Sequence, residues 1–127
     1  MLTPTDTRAE SALIGALLIQ PAYLAEVAWL VSPEQIGHAI LRLIYEAMLA
    51  LYDRGVPVDF VTLFGEMEDR GTLRKVGEAS ITDLINKTPT GMHALAYAQR
   101  VVAKANGAGP VVPKLQDIVN ERGGLRR

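Results

Sequence analysis

Residues 38–55 read H-A-I-L-R-L-I-Y-E-A-M-L-A-L-Y-D-R-G, and this stretch decides the fold class. Ile40, Leu43, Ile44, Ala47, Met48 and Leu51 recur at the spacing of one helix face, while Leu41, Tyr45 and Tyr52 fall on a second. Arg42, Glu46 and Asp53 leave only a narrow polar strip, so residues 38–54 predict a helix that is apolar around most of its circumference. Such a helix lies at the centre of a bundle or offers its second face to a partner. Gly55 stops it where a left-handed residue is expected.

The same punctuation recurs on both sides. Downstream, Asp59 is suited to cap a helix reaching about residue 70, with Val61, Phe64 and Met67 turned inward, and Gly71 ends it. A short helix then carries Ile81, Leu84 and Ile85 up to Lys87. Thr90 is placed to cap another over residues 91–105, bearing Met92, Leu95 and Val102. Upstream, Thr7 stands three residues before Glu10 in a capping-box pattern, which opens a helix over residues 8–20 with Leu13, Ile14, Leu17 and Leu18 as its stripe. Pro21 suits the first turn of a second helix with Leu24, Val27 and Leu30, and Ser32 and Pro33 open a further one. No strand pattern competes. The expected fold is all-α, a small orthogonal bundle of about six helices.

The pattern breaks at residues 106–110, where Gly107, Gly109 and Pro110 predict a linker. Residues 1–105 are expected to fold alone. Residues 111–127 are expected to be a helical tail that orders chiefly against a neighbour, with Leu115, Ile118 and Val119 apolar, because so short a helix is marginal in water by itself.

Composition sets outer limits. At 127 residues and 49% hydrophobic, the chain can bury one core without disulfides, and with no cysteine it has neither a thiol nucleophile nor a Cys-ligated zinc. A reducing compartment, the cytoplasm, is the expected location. The longest apolar stretches are too short to span a bilayer, so no membrane association is expected. The net charge of −1 argues against direct nucleic-acid binding as a main role. Charge is nonetheless uneven: residues 1–64 sum to −4 and the remainder to +3.

Reactive groupings are missing from the sequence. No phosphate-cradling loop occurs; Gly107, Gly109 and Lys114 have the wrong spacing for one. His38 and His93 are far apart and outside any ligand motif, Glu66, Glu68 and Asp69 read as a solvated face, and Ser11, Ser32 and Ser80 lack the turn that activates a nucleophile. Neither an enzyme, nor a cofactor, nor a metal is expected. The candidate interface comprises Leu41, Tyr45, Tyr52, Met92, Leu95, Val102, Leu115 and Ile118.

Small motifs in a fixed order add a resemblance. They are Ala9, Glu10 and the run at residues 13–18; Ser32, Pro33 and Glu34 before Ile36; Arg42, Ile44, Tyr45, Glu46 and Ala47; and residues 55–59 with Thr62. Gly71, Leu73, Val76 and Gly77, then Thr88 and Pro89, then Tyr97 and Ala98 before Val101 and Val102 complete the set. In this order they resemble the N-terminal domain of DnaB-type replicative helicases, over about residues 3–105. The resemblance implies a non-catalytic helical domain that helps assemble a helicase ring, pairs as a homodimer, and meets primase, helicase or helicase loader. A truncated helicase-like modulator, or a nucleic-acid-binding helical domain suggested by Arg122, Arg126 and Arg127, are the alternatives. The chain departs from the family at Ile36 and Gly37, where an aromatic pair is usual, at Glu78, where a second glycine is usual, and after Ala105, where a subunit-pairing hairpin would continue.

Overall fold

The computed structural model describes residues 6–106. Helix α1 (Thr7–Ile19) is followed by a 3-10 turn (Pro21–Tyr23) that leads into α2 (Leu24–Leu30), so the chain turns through 113° between the two arms. A second 3-10 turn (Pro33–Gln35) precedes α3 (Ala39–Asp53). Then come α4 (Phe60–Arg70), the single turn α5 (Leu73–Val76), α6 (Glu78–Lys87) and α7 (Ala94–Ala105). The bundle is all-α among the described residues, as expected, and no single helix there is long and apolar enough to cross a membrane.

Two helices share the centre. From Ala9 to Leu17, α1 buries Glu10, Leu13, Ile14, Gly15 and Ala16, and it packs on α7, α6 and α3. Helix α3 packs on α4, α1 and α2, burying Leu41, Ile44, Tyr45, Ala47, Met48 and Leu51. The two apolar faces read on α3 therefore both go inward except at Tyr52, which is exposed near the end of the helix. Their neighbours are Leu63 and Met67 from α4, Ile81 from α6, and Ala98 and Val101 from α7, all essentially without exposure.

Glycine enables one contact at the centre. A Cβ on Gly15 would lie 1.9 Å from Thr88 Oγ1 and 3.1 Å from the Leu84 carbonyl oxygen, so only hydrogen lets the end of α6 rest directly on α1. The Thr88 hydroxyl donates to that carbonyl at 2.7 Å, which seals the last turn of α6. Gly71 ends α4 at φ 76°, in the left-handed region, and the Gly71 and Thr72 N–H groups satisfy carbonyls of the last turn.

Several local expectations are corrected. The N-cap of α1 is Asp6, whose carboxylate accepts from the Ala9 N–H, and Thr7 is already helical; Glu10 is drawn away to a distant partner and forms no capping box. Pro21 opens a 3-10 turn before α2. On α4, Val61 is 80% exposed and Leu63 takes the inward position with Met67, four residues on and on the same helix face. Helix α7 starts at Ala94; the Thr90 hydroxyl closes a turn on the Met92 N–H, which leaves Met92 outside the helix. Residues 111–127, with the tail expected there, lie outside the described residues.

Candidate interaction surface

Most polar side chains with chemical potential are used to hold helices together. Glu10 is 1% exposed, and its two carboxylate oxygens accept from the Gly37 N–H at 2.8 Å and the His38 N–H at 3.0 Å. His38 is the N-cap of α3 and its side chain makes no cap hydrogen bond, so the carboxylate from α1 satisfies N–H groups that helix starts leave open. Arg42 reaches back from the first turn of α3: its Nε donates to the Ile36 carbonyl at 2.9 Å and an amino group donates to that of Glu34. Tyr45 is fully buried and its hydroxyl donates to the Val31 carbonyl at 2.7 Å, at the end of α2. Burial raises the Tyr45 phenol above its ordinary range, because the anion has no water to solvate it. These three residues clamp the segment between α2 and α3 from both sides.

Surface charges do similar work. Glu66 binds Arg54 at 2.7 Å and Arg70 at 3.3 Å, tying the end of α3 to α4. The hydrogen bond from Arg54 holds the Glu66 carboxyl below the usual carboxylate range and raises Arg54 in turn. Asp6 binds Arg100 at 2.8 Å, joining the start of α1 to α7, and that hydrogen bond, with the Ala9 N–H, lowers the Asp6 carboxyl. Among the described residues no three His, Asp or Glu side chains converge in a way that could hold a metal ion. The His93 ring meets Tyr97 edge-on at 6.2 Å.

The structure divides the expected interface residues. Leu41, Tyr45 and Val102, at 4%, 0% and 8% exposure, belong to the chain's own core, which corrects their reading as an outward face. A periodicity shared by two helix faces cannot say that both are covered from within. Leu95 is half-buried against the core, whereas Tyr52 and Met92 are 42% and 68% exposed. Leu115 and Ile118 lie outside the described residues.

Tyr52 and Met92 belong to one end of the bundle. Tyr52 lines a shallow groove with Pro21, Ala22, Ala25, Pro57 and Val58, between the start of α2 and the loop after α3. Gly91, beside Met92, packs so closely on Gln20 that a Cβ there would lie 2.8 Å from its side-chain oxygen. Both regions thus adjoin the corner at residues 20–22, beside the partly exposed Ile19. Sequence reading missed Trp29 and Phe60 and turned Val61 inward, yet all three are exposed. Single exposed apolar residues are ordinary, but an apolar groove of this kind suits another protein surface.

The fold and this surface define a class: a small all-helical domain whose accessible chemistry is apolar surface and paired charges. The chain belongs to the DnaB-like helicase N terminal domain family, whose model matches residues 2–103. It is 37% identical over 105 residues to the replicative DNA helicase DnaC of Bacillus subtilis, covering 82% of this chain and 23% of that protein. To the replicative DNA helicase DnaB of Mycobacterium leprae it is 35% identical over 103 residues, covering 80% and 17%. The crystal structure of the N-terminal domain of DnaB helicase from Mycobacterium tuberculosis is similar, with a TM-score of 0.77 and 34% identity over 84% of this chain and 76% of that one. The chain thus spans less than a quarter of the length of these curated helicases, and the part it matches is the helicase-associated N-terminal domain.

Many residues that carry the family resemblance now have a physical role. Glu10, Arg42 and Tyr45 clamp the α2–α3 segment, Asp59 and Thr62 form a reciprocal cap at α4, and Thr88 rests on Gly15. They maintain the fold.

Proposed function

We propose that this domain is a non-catalytic assembly module that pairs with a second copy and meets primase or helicase loader in the bacterial cytoplasm. The observation that supports this most is the apolar groove lined by Ala22, Tyr52 and Val58, with Ile19 and Met92 exposed on segments that adjoin residue 20, in a domain where, among the described residues, no buried side-chain polar atom lacks a hydrogen-bond partner. Apolar surface gathered in one place gains free energy when covered, roughly 25 cal/mol per Å² removed from water. Family membership supplies the setting, a helicase that must be assembled and loaded.

The test is the association state of the purified chain, followed by capture of purified primase and loader. A dimer is expected by sedimentation velocity at high micromolar concentration, and Tyr52→Ser with Met92→Ser should return it to a monomer without lowering its melting temperature. Association should vary little with salt, unlike phosphate binding, which weakens steeply. A wild-type monomer that captures neither partner refutes the reading.

A further inference from the structure

We propose that the groove between the first turns of α1 and the end of α6 is a docking site for an acidic segment of another protein, one in which apolar side chains stand beside carboxylates. Thr88 rests on Gly15 and holds the end of α6 against α1; beyond that contact, toward the start of α1, the groove opens. Its α1 wall is Arg8, Ser11 and Ala12, which precede Gly15 at helical spacing and so continue the face that packs on α6. Its other wall is Leu84 and Lys87, one turn apart on α6, followed by Pro89. The cavity of about 300 Å³ is at the small end of ligand sites and open to solvent, which suits a few side chains of a peptide. The groove at Tyr52 lies past the other end of α1, roughly 16 Å along the helix from Arg8 to Ile19, so this inference stands apart from the assembly reading.

The lining selects the chemistry of the occupant. It holds two cations, Arg8 on one wall and Lys87 on the other, and no carboxylate. The carboxylates of adjoining segments are already engaged. Asp6 accepts from Arg100 at 2.8 Å and from the Ala9 N–H, and Asp83 meets Lys87 at 2.9 Å. Both partners of the Lys87 pair are well exposed, so an incoming carboxylate exchanges for Asp83 at little cost. Asp6 offsets Arg100 and Asp83 offsets Lys87, which leaves the charge of Arg8 as the net charge of the site. The half-buried Ser11 hydroxyl has no hydrogen-bond partner among the described residues and adds a donor between the two cations.

Between these polar groups Ala12, Leu84 and Pro89 form an apolar floor. Covering it supplies most of the affinity, because exposed ion pairs contribute little; the cations orient the segment and exclude wrong partners. A cationic segment would set like charges against Arg8 and Lys87. Nucleic acid would leave the floor uncovered, and its phosphates call for a broad positive surface, whereas this chain carries a net charge of −1.

The test uses the full chain, labelled with nitrogen-15, and three capped hexapeptides, D-D-L-L-D-D, K-K-L-L-K-K and D-D-S-S-D-D. The acidic apolar peptide should shift the amide signals of Arg8, Ser11, Ala12 and Lys87 saturably and bind at least about tenfold more tightly than the other two. Arg8→Glu with Lys87→Glu should weaken it by about tenfold or more, at unchanged helicity by circular dichroism. Ala12→Leu fills the floor and leaves both cations in place; it should weaken binding as well, and it gives the decision if charge reversal unfolds the chain. Equal binding of either control peptide would overturn the proposal, as would the absence of any shift at millimolar peptide or shifts confined to the surroundings of Tyr52 and Val58. Shifts of the same amides on dilution of the chain alone would overturn it in favour of a second copy, and tighter binding of a single-stranded oligonucleotide at these amides would overturn it in favour of nucleic acid.

Discussion

The Glu10 carboxylate on α1 accepts the backbone N–H of His38, 28 residues away, at 3.0 Å, and so caps α3 from outside its own chain segment. The neighbouring Gly37 N–H occupies its other oxygen. Replacement by Ala removes both acceptors from a buried site, and hydrogen bonds to a charged group contribute about 1.5–3 kcal/mol. Glu10→Ala is therefore expected to lower stability by about 3 kcal/mol in urea titration, and Glu10→Gln by less, because one amide oxygen remains. A loss below half a kilocalorie for Glu10→Ala would contradict the capping role.

Gly15→Ala is expected to be costly for a reason that helix propensity hides. Alanine favours helices by about 1 kcal/mol over glycine, yet here its methyl would lie 1.9 Å from Thr88 Oγ1. Overpacking of this kind costs about 1–3 kcal/mol, so a net loss is predicted. Thr88→Ala in the same chain should recover part of it, leaving the two changes non-additive in a double-mutant cycle. Stabilisation by Gly15→Ala would mean that the α1–α6 contact is looser than described.

Acid should weaken the fold through Asp6 and Glu66. Each carboxyl is held below its ordinary value by an arginine, so each binds protons less readily when folded than when unfolded. Their contribution is present above the unfolded values near pH 4 and is lost as pH falls through the lower folded ones. Melting temperature should fall below about pH 4.5, and Asp6→Asn with Glu66→Gln should flatten that fall. An unchanged acid profile in the double variant would rule the two ion pairs out as its source.

Tyr45 makes the opposite prediction at high pH. Its phenol is raised by burial, so the neutral form is the one that folding favours, and stability is present below pH 10 and declines as pH rises beyond the unfolded value. Tyr45→Phe removes this alkaline dependence while leaving the Val31 carbonyl without its donor, at about 1–2 kcal/mol near neutrality. Melting curves of the two proteins from neutral to pH 11 should converge as the pH rises.

How much was legible from residues alone follows from the range over which each interaction acts. Asp59 and Gly71 bracket α4 as read, because a cap and a left-handed stop need only residues within one turn. Helical class and family order were legible for the same reason: periodicity and motif spacing are properties of the chain. Which faces are covered was not. Leu41 and Tyr45 lie one turn apart on a face that suits a partner or a core equally, and the packing of α1, α2 and α4 around α3 decided for the core. Glu10 looked like half of a local capping box; the fold instead carried it to Gly37 and His38, a pairing between two segments that spacing cannot encode. The sequence by itself determined that the domain is helical, where α4 starts and stops, and to which family the chain belongs, since these rest on neighbours along the backbone. Only the tertiary structure decided which apolar residues remain on the surface, because burial depends on what distant helices bring to the same place.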